Sequence, residues 1–194
     1  MILALDTTGP HCSVAIGAPG DIRAHISERI GRGHAERLGP MVGEAFAAAG
    51  LAADDIARLA VCRGPGSFTG LRVGLSYALG FVLPRRLPVL GLDAARIAAE
   101  GTSGIVAVRI DVRRGETGWA AYRDGLQTHP FRVEPTEDAD AAIAALGPER
   151  VVADPVPDMR AAIRLAAVAD PAEFPASALY ARGPDAKLPG GVEP

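Results

Sequence analysis

Short apolar runs and amphipathic stretches alternate along the first hundred residues. Three brief apolar runs come first and are separated by turn-rich segments, a pattern typical of an antiparallel strand meander. Apolar residues then recur from Leu38 to Ala49 at helical spacing, and Gly50 would end this helix. Pro40 fits the helix only near its start. The predicted strands are 2–6, 12–16, 22–26, 59–62 and 87–91, and two further helices are predicted at 71–83 and 93–100.

The second half of the chain is less regular. Its apolar runs predict another antiparallel set of strands, followed by a helix, a short strand and an Ala-rich helix. The segment "GTSG" at 101–104 is the best candidate linker, and it divides the chain into a first lobe (1–102) and a second lobe (103–194). The second lobe is predicted to contain strands at 104–112, 118–124, 126–133 and 150–154, and helices near 136–146 and 158–168.

The order of these elements predicts the fold class. A strand meander followed by strand–helix crossovers gives a mixed sheet with helices on both faces. One lobe of the actin-like ATPase fold, which sugar kinases and Hsp70 proteins share, has this arrangement. We therefore expect an α/β protein of mixed sheets with flanking helices, whose second lobe, of about 90 residues, is reduced.

Composition narrows the function classes. A hydrophobic content of 48% supports a core, and no apolar run reaches the roughly 18 residues of a membrane span. The first residues lack a basic region, so we expect no secretory signal. Cys12 and Cys62 lie in strand-like runs, which is typical of buried thiols in a cytoplasmic protein. The net charge of −3 does not provide the positive surface that binding nucleic acid alone requires.

A glycine-rich segment, "GPGSFTGLRVG" at 64–74, joins a predicted strand to a predicted helix. It is not a Walker phosphate loop, because the only lysine of the chain is Lys187. The dinucleotide fingerprint fails because Thr69 replaces its third glycine, and the flanking glycines of a nucleophile elbow are missing. Two interpretations remain open. The loop is an anion site at a helix N-terminus, or a tight turn in which Gly66 and Gly70 permit close packing, and the residue types favour the turn.

The helix that follows this segment is apolar on two faces. Leu71 and Leu75 lie on one face, whereas Val73, Tyr77 and Phe81 lie on the other. Such a helix is either buried within its own chain, under the second lobe, or partly covered by another molecule. Because the lobe is small, a partner protein is one of the two hypotheses that we keep.

Several motifs occur in order along the chain: "ILALDTTGPHCSVAI", "GHAERLGPMV", "GPGSFTGLRVGLSYALG", "IDVRRGETGWAAY" and "YARGPDAKLP". Together they resemble the bacterial TsaB (YeaZ) family over essentially the whole chain. The resemblance implies a catalytically degenerate paralogue of TsaD, which works with TsaD and the small ATPase TsaE to make threonylcarbamoyladenosine next to the anticodon of tRNA. The implied role is to bind and support TsaD through a helical interface, with tRNA contacted only within the complex. Family members also pair with themselves.

The two helices are expected to provide this interface. On the resemblance, the predicted partner-contacting residues are His34, Leu38, Met41, Val42, Ala45, Arg72, Val73, Leu75, Tyr77 and Phe81.

A metal site is not expected. The catalytic relatives carry a His-x-x-x-His pair on the first helix, and this chain keeps His34 but has Leu38 at the second position. The segment "HAERL" also lacks the H-E-x-x-H pattern of zinc peptidases. We therefore expect a subunit that is not itself an enzyme.

A nucleotide site is the alternative hypothesis. Asp6, Thr7 and Thr8 lie where actin-like ATPases place their first phosphate loop, so they are weak candidates for contact with phosphate or Mg²⁺. The interpretation that we prefer is a turn that Asp6 caps itself. An actin-like ATPase or phosphotransferase with its own nucleotide site remains the alternative function, and ATP or ADP shared with partner subunits is a third. "DVRRGETGW" departs from the family pattern, which leaves Arg113 and Arg114 without an assigned role.

Overall fold

The computed structural model describes residues 1–181, which form two mixed sheets flanked by helices. Each predicted strand and helix is present, with ends that differ by a few residues. Within this range no helix has the length and apolar character that a bilayer crossing requires. The first half of the chain contains β1 (Ile2–Asp6), β2 (His11–Ala18), β3 (Asp21–Arg29), α1 (His34–Ala49), β4 (Arg58–Gly64), α2 (Phe68–Val82), β5 (Val89–Asp93) and α3 (Ala94–Ala99). The second half contains β6 (Ile105–Asp111), β7 (Glu116–Arg123), β8 (Leu126–Pro135), α4 (Thr136–Ala145), β9 (Arg150–Ala153) and α5 (Met159–Val168).

The first sheet has the strand order β3-β2-β1-β4-β5. Antiparallel pairing joins β1, β2 and β3, and parallel pairing joins β1, β4 and β5. Strand β1 is buried on both faces because side chains alternate across a strand. Leu3 and Leu5 face the core under α1 and α2, whereas Ile2 and Ala4 face the core under α5. The apolar run "ILALD" is therefore the central strand of a sheet covered on both sides.

Helix α1 ends as predicted but contains an unexpected proline. Gly50 adopts the left-handed conformation (φ 64°) and donates its N–H to the Ala47 carbonyl, which is a common helix C-terminus. The helix begins at His34, so Pro40 lies in the second turn and the expectation that it lies near the start is wrong. Pro40 is exposed, where water can satisfy the carbonyl that lacks its helical donor.

The second sheet has the order β8-β7-β6-β9, with β9 parallel to β6. Its strands alternate between two cores. Trp119 and Ala121 face α4, whereas Val106, Val108 and Tyr122 pack with α3. Because α3 also contacts β4 and β5, it connects the two sheets.

The chain returns to the first sheet after β9. Helix α5 packs on β1, β2 and β4, and the Arg58 guanidinium donates to the carbonyls of Ala166 and Ala169 near its end. Residues 170–181 then follow the edge of the sheet, where the Phe174 carbonyl accepts from the Gly91 N–H at 2.9 Å. The predicted division at residue 102 separates the two sheets, but α5 and the following segment belong spatially to the first.

Close packing between α2 and the β1–β2 turn fixes the relation of these elements. A Cβ added to Gly70 would lie 2.0 Å from the Thr7 carbonyl oxygen, and one added to Gly66 would lie 2.3 Å from that of Thr8. The Thr7 hydroxyl donates to the Gly70 carbonyl at 2.7 Å, and the Ser67 side chain caps the helix by accepting from Gly70 N–H at 2.9 Å. The close packing that the tight-turn interpretation predicts for Gly66 and Gly70 is therefore confirmed.

Gly70→Ala is expected to destabilise the protein by about 1–3 kcal/mol or more, because backbone atoms rather than flexible side chains occupy the space of the new methyl group. The matched control is Gly80→Ala in the same helix, where a Cβ meets nothing within 4 Å. That control is expected to stabilise the protein by about 0.5–1 kcal/mol. Urea midpoints at constant m-value measure both effects. Equal stability of Gly70→Ala and the wild type would contradict the packing argument.

Candidate functional site at the cleft and the helical face

The turn after β1 is organised by Asp6. Its carboxylate oxygen Oδ1 accepts from the Thr8 amide at 2.9 Å and from the Thr8 hydroxyl at 2.7 Å. Asp6 is fully buried. The interpretation of these residues as an Asx-type turn is therefore confirmed, and Thr7 and Thr8 serve packing and capping within it.

The second carboxylate oxygen of Asp6 has no hydrogen-bond partner among the described residues. The Cys62 thiol contacts the Thr8 hydroxyl at 3.7 Å and lies near enough to lower the pKa of Asp6, but it does not donate to Oδ2 in hydrogen-bond geometry. Burial dominates and raises the pKa of Asp6 above its usual 3.8. A buried carboxyl group with one unsatisfied oxygen costs stability.

Asp6 lies in the lining of a cleft of about 1420 Å³ between the two sheets. The first lobe contributes the β1–β2 turn and the start of α2. The second lobe contributes the end of β6 and the segment after β9. Arg29, Arg72 and Arg113 also line the cleft. In sequence these groups are far apart, and the fold brings them together.

Among the described residues, the lining of the cleft contains no lysine, and its charged side chains are arginines and aspartates. The only lysine, Lys187, lies outside the described residues. Within residues 1–181 no three His, Cys, Asp or Glu side chains are grouped to hold a metal ion. Asp154 Oδ1 accepts from the Asp111 amide, and Asp111 Oδ1 accepts from the Arg113 amide, so each carboxylate already supports a turn.

Arg113 and Arg114 lie in the β6–β7 hairpin with left-handed φ values of 72° and 57°. This conformation is costly for residues other than glycine. Both side chains are exposed, and Arg113 lines the cleft.

His34 begins α1 and is 8% exposed, and its Nε2 lies 3.2 Å from the His11 carbonyl oxygen. Leu38 is part of the first core. The two positions of the expected His-x-x-x-His pattern thus contain one histidine facing a backbone carbonyl and one core leucine.

The predicted partner-contacting residues divide into three groups. Six are buried inside this chain and are not available to a partner: His34, Leu38, Met41, Val42, Ala45 and Leu75. Val73, Tyr77 and Phe81 are half-buried against the core of the first lobe, and Arg72 is exposed. These six residues are therefore removed from the predicted partner contacts. The helical spacing that suggested them marks the side of each helix that faces the sheet.

The second apolar face of α2 is covered by α1 rather than by the second lobe. The rings of Phe46 and Phe81 stack with their centroids 6.2 Å apart. A charge at Leu75 or Phe81 would therefore perturb folding before it could report on docking.

A different stripe of α2 and the turn after it is exposed, and the sequence analysis missed most of it. Phe68, Leu79 and Leu83 are its apolar members, and Arg72, Ser76 and Gly80 lie between them. The signal was present in the sequence, because the polar or small residues at 72, 76 and 80 recur every four positions and mark the outward side of a helix.

Comparison with known proteins identifies the family. The family model described as "TsaD: tRNA N6-adenosine threonylcarbamoyltransferase" matches residues 26–183. An uncharacterized protein of Mycobacterium tuberculosis is 35% identical over 96% of this chain and 93% of its own length. The solved structure of YeaZ from Pseudomonas aeruginosa superposes with a TM-score of 0.75 at 29% identity, covering 92% of this chain and 98% of that one. The chain belongs to the TsaB (YeaZ) family.

The TsaB proteins themselves match over a shorter range. The protein of Escherichia coli named "tRNA threonylcarbamoyladenosine biosynthesis protein TsaB" is 40% identical over 127 residues, which are 63% of this chain and 54% of that protein. The alignment thus spans about half of that relative. The YeaZ structure confirms the predicted fold class of two mixed sheets with flanking helices. Most of the motif "YARGPDAKLP" lies outside the described residues.

Asp6→Asn is expected to increase stability, and the increase should grow with pH. Below pH 3.8 the Asp6 carboxyl is protonated in the folded and unfolded states alike, so no charge is buried. As the pH rises through the raised pKa of the folded state, the folded protein must bury the charge, and the wild type loses stability that the variant keeps. Urea unfolding of both proteins from about pH 4 to about pH 8 measures the difference.

The exposed carboxyl of Asp21 provides the control, since Asp21→Asn is expected to change stability by no more than about 0.5 kcal/mol at each pH. A constant difference between Asp6→Asn and the wild type across the pH range would show that burial of this charge is not the cause.

Proposed function

We propose that this chain is a non-catalytic cytoplasmic subunit in the biosynthesis of threonylcarbamoyladenosine in tRNA, and that it binds and supports TsaD. The observation that supports the proposal is an exposed surface that we call the docking face. It consists of the outward side of α1, which includes Gly43, and of the exposed residues Phe68, Arg72, Ser76, Leu79, Gly80 and Leu83.

The docking face has the character of a protein-binding surface. Single exposed apolar residues are ordinary, but Phe68, Leu79 and Leu83 follow one line along α2 and the turn after it. Beside that line, Gly43 of α1 and Gly80 of α2 have open space where a Cβ would stand. Small residues at these positions let a second helix pair approach closely.

TsaD is a suitable partner because the family model that matches this chain describes TsaD. A TsaD domain with the same fold would present a helix pair equivalent to α1 and α2. Two such pairs can pack about an approximate twofold axis, as identical surfaces do in dimers. The same geometry allows the chain to form a homodimer when TsaD is absent.

In this proposal, the chemistry, the contact with tRNA and the binding of nucleotide belong to the complex rather than to this chain alone. Because Leu38 replaces the second histidine and His34 faces a backbone carbonyl, TsaD supplies the chemistry in this proposal. Contact with tRNA occurs only within the complex. TsaE joins the same assembly, and ATP or ADP binds where the subunits meet rather than in this chain alone.

Leu83→Asp and Gly80→Arg are expected to weaken binding to TsaD, each by about 2 kcal/mol or roughly thirty-fold in Kd. Leu83 is 74% exposed and Gly80 has no neighbour within 4 Å, so neither change disturbs the fold. Calorimetric titration with TsaD of the same organism measures the affinity, and sedimentation of the chain alone measures the homodimer.

The matched control is Leu126→Asp, because Leu126 is 71% exposed at the start of β8, away from the docking face. This variant should bind TsaD as the wild type does. If Leu83→Asp and Gly80→Arg bind TsaD with wild-type affinity while remaining folded, the docking face is misplaced. If the wild type itself fails to bind TsaD, the proposed function is wrong.

A further inference from the structure

Two buried polar atoms without partners belong to residues that line the cleft between the sheets. They are Oδ2 of Asp6 and Nδ1 of His11, both without a hydrogen bond among the described residues. Buried polar groups are nearly always paired in folded proteins, so each unpaired one calls for an explanation. The turn uses only Oδ1 of Asp6. Among the described residues, the second buried oxygen of Asp6 is thus left without a hydrogen-bond donor in good geometry.

The charged lining of the cleft contains three arginines and three aspartates, and two of the arginines lie on the wall that the first lobe contributes. Arg29 and Arg72 line it, and so does Phe68 in the first turn of α2. The N–H groups of a first helical turn have no acceptor within the helix and favour an anion. Arg72 is oriented by its environment, since its guanidinium lies 3.8 Å from the centroid of the Phe68 ring and its Nε donates to the Tyr180 hydroxyl at 3.4 Å.

We infer that the cleft is a binding site for a small organic anion that also carries a hydroxyl or ammonium group. The anionic group faces Arg29, Arg72 and the start of α2, and the hydroxyl or ammonium group donates to Asp6 Oδ2. This inference goes beyond the subunit role, because the cleft and the docking face are different surfaces that share only Phe68 and Arg72.

The arrangement distinguishes this ligand class from a magnesium-bound nucleotide. The carboxylates of Asp111 and Asp154, on the opposite wall, each accept from a backbone amide. Asp6 is the one buried carboxyl of the lining, among the described residues, with an oxygen lacking a hydrogen bond. A single carboxyl oxygen is suited to a hydrogen-bond donor, whereas a nucleotide with Mg²⁺ requires several oxygen ligands.

Calorimetric titration of the purified full chain tests the inference. The probes are L-serine, L-lactate and glycerol phosphate, with inorganic phosphate and Mg²⁺-ATP as comparisons. At least one organic probe should bind about ten-fold more tightly than inorganic phosphate, because phosphate lacks the second group that reaches Asp6. Asp6→Asn should weaken that probe by about ten-fold or more, since the amide can place a donor where the ligand needs an acceptor.

Two further variants complete the test. Arg72→Ala should weaken the same probe, whereas Arg23→Ala, which removes an exposed arginine paired with Asp21 on β3, should leave its affinity unchanged. The inference is overturned if no organic probe binds at millimolar concentration, or if Asp6→Asn binds as the wild type does. Tighter binding of Mg²⁺-ATP than of every organic probe would also overturn it, in favour of a nucleotide site. TsaD is absent from all of these titrations, so their outcome does not depend on whether this chain binds TsaD.

Discussion

The contact between the β1–β2 turn and the first turn of α2 determines most of this structure. Thr7 and Thr8 occupy the space that side chains at positions 66 and 70 would take, so the helix approaches the turn backbone to backbone. The approach fixes the direction of α2, and with it α1, which packs against α2 through Phe46 and Phe81. It also forms one wall of the cleft. Both candidate binding surfaces, the docking face and the cleft, therefore depend on this one close contact.

Local chemistry explains why so much of the fold could be predicted. The side chains of "ILALD" alternate between two apolar cores, as expected of a strand that is covered on both faces. Gly50 ends α1 because glycine readily adopts the left-handed conformation. The Asp6 turn was also predictable, because an aspartate bonded to the amide two residues later is a local event. The turn and the helix end depend on groups that are neighbours in sequence, and the strand is recognisable from the alternation of its own side chains.

The errors concern tertiary relations. Both faces of α2 are apolar, and the sequence could not show that α1 covers the face of Phe81 while Leu83 stays exposed. The helical period also suggested Leu38 and Met41 as contacts with a partner protein, although both residues belong to the core of this chain. The unpaired Oδ2 of Asp6 depends on where the thiol of Cys62 and the loop at 66–67 come to lie, and no local pattern encodes that placement.

The return of the chain to its first sheet has a consequence for dissection of the molecule. Helix α5 covers Ile2, Ala4 and Cys62, so a fragment cut at residue 102 would present a bare apolar sheet face to water and would be expected to aggregate. The second sheet is topologically an insertion, entered after α3 and left before α5. An isolated first lobe would instead need β6 to β9 excised and α3 spliced to α5 through a short bridge.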